Sequence, residues 1–215
     1  FRELLDTVSS NFADGKALDV GCATGACLSV LVEKRFTVHG VDVNDYAVGI
    51  ARQNVPKAKI LNDTVENAGY PDGMFNLIVL SDVIEHVRDP KTFLTLVTGL
   101  LAPEGRVLVL TPDIGALSRK LMGRHWPHIK PEHLVLFSRR SLKQIMADSG
   151  LAIEEIRSFR KPLSPEYTAK QLQIYPIPFL SVLVRWSRKL LPDFLAGIIF
   201  RMPMGEMLAI GRKVR

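Results

Sequence analysis

Between Ala17 and Gly25 the sequence reads Ala-Leu-Asp-Val-Gly-Cys-Ala-Thr-Gly, an apolar strand breaking into a loop with two glycines. Such a loop lets a ligand approach the backbone where a side chain would block it, and its tight turn calls for positive φ. The spacing of Gly21 and Gly25, G-x-x-x-G, is neither the G-x-G-x-x-G of dinucleotide binders nor a P-loop, whose Gly-Lys-Ser/Thr ending is absent. A cofactor without phosphate would need no helix amino end aimed at a pyrophosphate. The bland alternative for this stretch alone is a structural strand-to-helix turn. Seventeen residues after Gly25, Val38-His39-Gly40-Val41-Asp42 ends a second apolar run in an acid. A carboxylate there can accept both hydroxyls of a ribose, and it would repel a 2′-phosphate. Asp45 can cap the helix that follows, which leaves Asp42 free. A third run, Ile60-Leu61-Asn62-Asp63-Thr64, ends in a polar pair that either caps the next turn or bonds an adenine edge.

These residues need a scaffold that brings strand ends together. The first two thirds of the chain alternate short Val/Ile/Leu runs with segments of helical period, the pattern of a parallel sheet covered by helices. Strands are expected at Lys16 to Val20, Thr37 to Val41, Ala58 to Leu61, Phe75 to Leu80 and Arg106 to Leu110. Helices are expected at Ala26 to Lys34, Asp45 to Gln53, Pro90 to Leu101 and Ser141 to Ser149, the last stopped by Gly150. Ala152 to Phe159 and Glu206 to Gly211 look like a closing antiparallel pair. The fold class is thus α/β, a seven-stranded, mostly parallel, doubly wound sheet with an antiparallel closing strand and helices on both faces. With 215 residues, one domain is expected. Insertions at about 112–137 and 161–203 fall near the carboxyl ends of strands, where they would cap or shape a ligand site.

Taken in order, the glycine loop, Asp42 and Asp63 resemble the class I (Rossmann-like) S-adenosylmethionine-dependent methyltransferases, over about Lys16 to Leu151. The resemblance implies S-adenosyl-L-methionine as cofactor. The glycine loop would carry its methionine part, Asp42 its ribose, and Asp63 would face adenine. The implied binding set is Asp19, Gly21, Cys22, Ala23, Thr24, Gly25, Asp42, Val43, Asp63, Thr64, Ser81 and Asp82. The fourth strand resembles one that usually begins with aspartate, where this chain has Asn76, far from the carboxyl end. Ser81-Asp82-Val83-Ile84-Glu85-His86-Val87-Arg88-Asp89-Pro90 looks like the loop of a small-molecule subgroup that includes the ubiquinone O-methyltransferases. Pro103-Glu104-Gly105 resembles the family's turn before the fifth strand. Trp126-Pro127, Pro131-Glu132-His133-Leu134 and Phe137-Ser138 resemble, more loosely, a bacterial subgroup linked to glycan and secondary-metabolite modification.

Methyl transfer from a sulfonium is an in-line displacement, so alignment and exclusion of water are the enzyme's main tasks. A hydroxyl acceptor must also lose a proton, for which a neutral histidine is the usual recipient. His86, after the fourth strand, and His133, beside Glu132 as an orienting neighbour, are the candidates. His125 and His128 either line the acceptor pocket or cap the insertion from outside. No metal is expected, because no carboxylate is suitably spaced from these histidines. Cys22 and Cys27, the two cysteines, rule out a disulfide framework.

The acceptor expected is a small molecule, a lipid-linked compound or a glycan, methylated at a hydroxyl oxygen. The alternatives are an inactive cofactor-binding scaffold and an RNA methyltransferase; DNA is not expected, since no Asn/Asp-Pro-Pro-Tyr/Phe follows the fourth strand. Net charge is +6, concentrated late in the chain. Apolar and basic residues mix over 174–200, where contact with a membrane surface is weighed against helices covering the sheet edge or a homodimer contact. Phe1 to Asp14 shows no signal-peptide pattern, so a cytoplasmic location is expected, with peripheral contact at the inner face of the membrane under the first of those readings.

Overall fold

The computed structural model describes residues 1–9, 14–163 and 200–214. Among the described residues there are seven strands: β1 (Lys16–Val20), β2 (Thr37–Val41), β3 (Lys59–Leu61), β4 (Phe75–Ser81), β5 (Leu101–Pro112), β6 (Leu151–Leu163) and β7 (Phe200–Lys213). They form one sheet in the order β3-β2-β1-β4-β5-β7-β6. The pairs among β1 to β5 are parallel, and β7 runs against both of its neighbours, β5 and β6. This is the mostly parallel, doubly wound sheet that the sequence pattern predicts.

The interior strands are apolar on both faces, as a sheet covered on both sides requires. Leu77 and Val79 of β4 point to one face with Leu108 and Leu110 of β5, while Ile78 and Leu80 point to the other with Val107 and Val109. Helices α1 (Arg2–Ser9), α2 (Ala26–Glu33) and α3 (Asp45–Asn54) cover the first face through Leu4, Leu5, Leu28, Leu31 and Val48. The second face is covered by α4 (Pro90–Leu100) and by the helix Arg139–Asp148 through Phe93, Leu94, Val97, Leu142 and Met146.

Local chemistry sets the helix starts. The side chain of Asn44, not Asp45, caps α3 by accepting from the Ala47 amide. Asp89 caps α4 ahead of Pro90, and Ser138 caps the Arg139–Asp148 helix in a reciprocal pair with Ser141. Two further differences from the sequence reading have plain causes. β5 begins at Leu101 rather than Arg106, because Pro103-Glu104-Gly105 is a bulge inside the strand: the ladder to β4 shifts between Phe75 and Leu77, and Glu104 takes φ 64°. The unpredicted α1 is an amphipathic helix whose Leu4, Leu5 and Val8 are buried.

The first insertion holds α5 (Leu117–Met122), one tight turn at Gly123–His125, and then Trp126, which is 1% exposed and anchors the segment. The Arg139–Asp148 helix is accordingly α6. Trp126 seats against Gly205 at the start of β7. A Cβ there would stand 2.9 Å from the indole and 2.5 Å from the Ser118 hydroxyl oxygen, and φ is +94°. Most of the second insertion, 164–199, lies outside the described residues, and with it nearly all of the 174–200 segment. Among the described residues, no helix is long and apolar enough to cross a membrane.

Candidate active site and cofactor cradle

Parallel strands deliver their carboxyl ends to one edge of the sheet, and the sequence-predicted residues follow those ends. The glycine loop leaves β1, Asp42 leaves β2, Asp63 follows β3, and the Asp82–His86 turn leaves β4. β1 and β4 are adjacent while the chain winds outward from them in both directions, which makes their junction the switch point where ligands of open α/β sheets bind.

The cradle is built largely from backbone. Gly21 (φ +71°) leaves its loop open toward Val83, where a Cβ would lie 2.7 Å from a methyl carbon; Gly25 (φ +89°) starts α2. Asp42 is not free of the chain: its carboxylate accepts from the Ala23 amide at 2.8 Å and the Asn44 amide at 2.8 Å. These bonds tie the glycine loop to the end of β2 and fix the carboxylate in place. Asn62 donates to the Asp42 carbonyl at 2.9 Å. Asp63 accepts from the Thr64 amide and the Asn67 side chain, so of the two roles left open for it the local turn-forming one is satisfied within the chain. Val43, Tyr46 and Leu61 stand exposed around this group, an apolar surface beside two carboxylates. Tyr46 and Leu61 lie outside the sequence-predicted set; large apolar side chains at strand and helix ends were their only signal.

Beneath the loop, Asp19 is buried. Burial pushes its carboxyl up to about 8, the hydrogen bond from the Cys27 thiol opposing and the Asp42 charge adding to the rise. Burial likewise pushes the Cys22 thiol up to about 12, so neither Cys22 nor the buried Cys27 is a ready nucleophile. Asn76 sits at the opposite edge, where its side chain accepts from the Lys16 amide at 2.9 Å and stitches β4 to β1.

The other half of the edge gathers the histidines. The backbone carbonyl of Glu85 accepts from the amides of Leu134 and Val135, pulling the first insertion onto the turn after β4. His86 and His133 thereby meet edge to face, ring centroids 4.8 Å apart. His86 Nδ1 lies 2.7 Å from the backbone carbonyl of Glu132. A carbonyl only accepts, so Nδ1 carries the proton and Nε2 is left as the acceptor. Glu132 therefore orients His86 through its backbone, rather than His133 through its side chain. Burial, with Lys130 and His86 adding, lowers His133 to about 4, so this ring is neutral near pH 7. His128 lies inside, packed on Trp126 at 4.7 Å and stacked on His133 at 6.1 Å; His125 is exposed.

In the sequence Glu85 stands out only as a neighbour of His86. Its side chain is fully buried, and one oxygen accepts from the Thr111 hydroxyl at 2.9 Å. The other oxygen is buried without a hydrogen-bond partner, as is Nδ1 of His133. One side-chain oxygen or nitrogen of each of Glu85, His86 and His133 lies within 4.8 Å of the other two.

Residues 1–156 match the model of the methyltransferase domain family. The chain belongs to that family. This methyltransferase domain is 27% identical over 171 residues to the mitochondrial ubiquinone biosynthesis O-methyltransferase of Schizosaccharomyces pombe, covering 73% of this chain and 62% of that protein. It is 26% identical over 138 residues to a Mycolicibacterium smegmatis protein named "Probable S-adenosylmethionine-dependent methyltransferase", covering 64% of this chain and 52% of that one. The match thus spans less than two thirds of either relative. Among solved structures, the YcgJ protein from Bacillus subtilis superposes over 100% of both chains with TM-score 0.71 at 16% identity. A methyltransferase from Archaeoglobus fulgidus superposes over 99% of this chain and 95% of that one, with TM-score 0.64 at 19% identity. The Mycolicibacterium smegmatis relative is named for dependence on S-adenosylmethionine, the cofactor that the glycine loop and Asp42 imply for this chain. The residues present fit it: a cradle that a Cβ at Gly21 would fill, a carboxylate fixed by two amides at Asp42, and apolar surface at Val43 and Tyr46.

Proposed function

We propose that the chain methylates a hydroxyl oxygen of a small-molecule, lipid-linked or glycan acceptor, with His86 as the proton acceptor. The observation that carries this reading is the hydrogen bond from His86 Nδ1 to the Glu132 carbonyl, which in the neutral ring makes Nε2 the acceptor at the carboxyl edge of the sheet. Bound S-adenosylmethionine supplies an electrophilic methyl group on a sulfonium. Asp42 would hold its ribose hydroxyls, Val43 and Tyr46 would flank its adenine with Asp63 and Thr64 nearby, and Asp19 with the loop Gly21, Cys22, Ala23, Thr24 and Gly25 would bind its methionine end. Ser81 and Asp82 would close the cradle on the β4 side.

His86 Nε2 would take the acceptor's hydroxyl proton, leaving the oxygen able to attack the methyl group that the bound cofactor would supply, with a neutral thioether as the leaving group. His133, neutral and half-buried, forms the wall against which the His86 ring is held. The first insertion, as a cap over this side, excludes water from the reacting atoms. A hydroxyl acceptor accords with the relatives named for ubiquinone O-methylation. Peripheral membrane contact or a homodimer through 174–200 would place the site beside an apolar acceptor; both belong to residues outside those described.

Calorimetric titration with S-adenosylmethionine and, separately, NAD tests the foundation. Micromolar binding of the first alone is expected. Binding of NAD, or of neither, would sink the reading and return the chain to a scaffold role. With binding established, His86→Asn should lower methyl transfer to a hydroxylated acceptor by about 100-fold, within the usual contribution of general base catalysis.

A further inference from the structure

Of the neighbouring side chains Glu85, His86 and His133, the buried Glu85 is the one to which the proposed chemistry gives no task. Burying a carboxyl without satisfying both oxygens is costly, and most such groups are fully hydrogen-bonded. Glu85 spends one oxygen on Thr111 and leaves the other buried without a hydrogen-bond partner, and one of its two oxygens lies within 4.8 Å of a ring nitrogen of His86 and of a ring nitrogen of His133. The Thr111 hydroxyl and the backbone bonds from Leu134 and Val135 hold it there from three directions.

A neutral imidazole needs no counter-charge, but the imidazolium made when His86 accepts a proton does. We propose that Glu85 is a positioning residue whose buried carboxylate stabilises the imidazolium formed on His86, as the orienting acid does in a hydrolase triad. The inference rests on the reading of His86 as the proton acceptor. Other charged or titratable groups face the same space: Asp82 on the turn itself, Glu206 from β7, and His133, His128 and Lys130 from the first insertion. Lys130 and a protonated His133 would oppose the effect. Glu85 is screened from water, which strengthens the field of its carboxylate on the rings once it is ionised, a step that burial raises to about pH 7.

The ring nitrogens of His86 report the effect directly, without any acceptor. In the full chain saturated with S-adenosylhomocysteine, long-range proton–nitrogen NMR follows the His86 titration, assigned by comparison with His86→Asn. Glu85→Gln keeps the shape and the bond to Thr111 but removes the charge, and should lower the His86 midpoint by about one pH unit or more. Glu85→Asp, which keeps the charge, should restore most of the difference. An unchanged midpoint in Glu85→Gln would overturn the proposal even where His86→Asn abolishes methyl transfer. A fully active His86→Asn enzyme would instead remove the reading beneath it. Saturable quenching of the His86 resonances by Mn²⁺, lost in Glu85→Gln and reversed by a chelator, would also overturn it, since the carboxylate would then serve an ion.

Discussion

The two halves of the sheet edge meet their polar obligations in opposite ways. On the β1/β2 side the Asp42 carboxylate accepts from the Ala23 and Asn44 amides and Asp63 from the Thr64 amide, so backbone fixes the side chains before any ligand arrives. On the β4/β5 side Glu85 and His133 each hold a buried polar atom without a partner. A cofactor common to a whole family can be met by rigid loops, whereas the acceptor side keeps bonding capacity in side chains presented by an insertion. The difference predicts that damage to one half need not spread to the other.

The largest effect should come from Trp126→Ala, which removes the buried anchor of the first insertion. Loss of a fully buried aromatic costs about 3–5 kcal/mol, and chemical denaturation would measure it. Cofactor affinity of the folded fraction should stay within about threefold, well under 1 kcal/mol; a large loss would show that the halves are coupled. Asp42→Ala attacks the other half. Removing a charged acceptor from the ribose and the amides should weaken S-adenosylhomocysteine binding by about 2–3 kcal/mol, seen by calorimetry. Unchanged affinity would end the ribose assignment.

The smallest effect contrasts the two buried carboxyls by pH. Asp19 is raised from 3.8 to about 8 by burial, so the folded protein binds its proton more tightly than the unfolded chain does. Stability from this group is full below about pH 4 and falls as pH rises toward 8. Glu85, raised from 4.5 to about 7, acts in the same direction over a window that ends one unit lower. Asp19→Asn should therefore flatten the stability profile between pH 6 and 7 by about 1 kcal/mol. A profile as steep as the parent's would mean that Asp19 is ionised in the fold.

The same contrast explains what could be read from the sequence. β1 and β2 fall on their expected residues because an apolar run ending in Gly or Asp is a local signal, and Asp42 stands out in the sequence for the same reason. The Asp42 carboxylate's bond to Ala23, nineteen residues away, is not local and was missed. Glu85 and Thr111 are 26 residues apart, and Glu85 reads as an ordinary surface acid until β4 and β5 pair and bury it. Expecting Glu132 to orient His133 followed adjacency in the chain, and the fold gave the carbonyl to His86. The apolar face of α1 is only Leu4, Leu5 and Val8, too short a pattern to mark a helix until the face of the sheet it packs on is known.

The place of β7 bears on how the chain is made. This last strand is an interior one, bonded to β5 from Arg106 to Pro112 and to β6 from Leu151 to Leu163. During synthesis β5 and β6 therefore leave the ribosome long before the strand that joins them. Until residues 200–213 emerge, β5 is an open edge of the sheet and β6 has no strand to pair with. An open edge of that kind is an invitation to pair with another chain, so the interval before the final strand docks is when this protein is most exposed to aggregation and most in need of a chaperone.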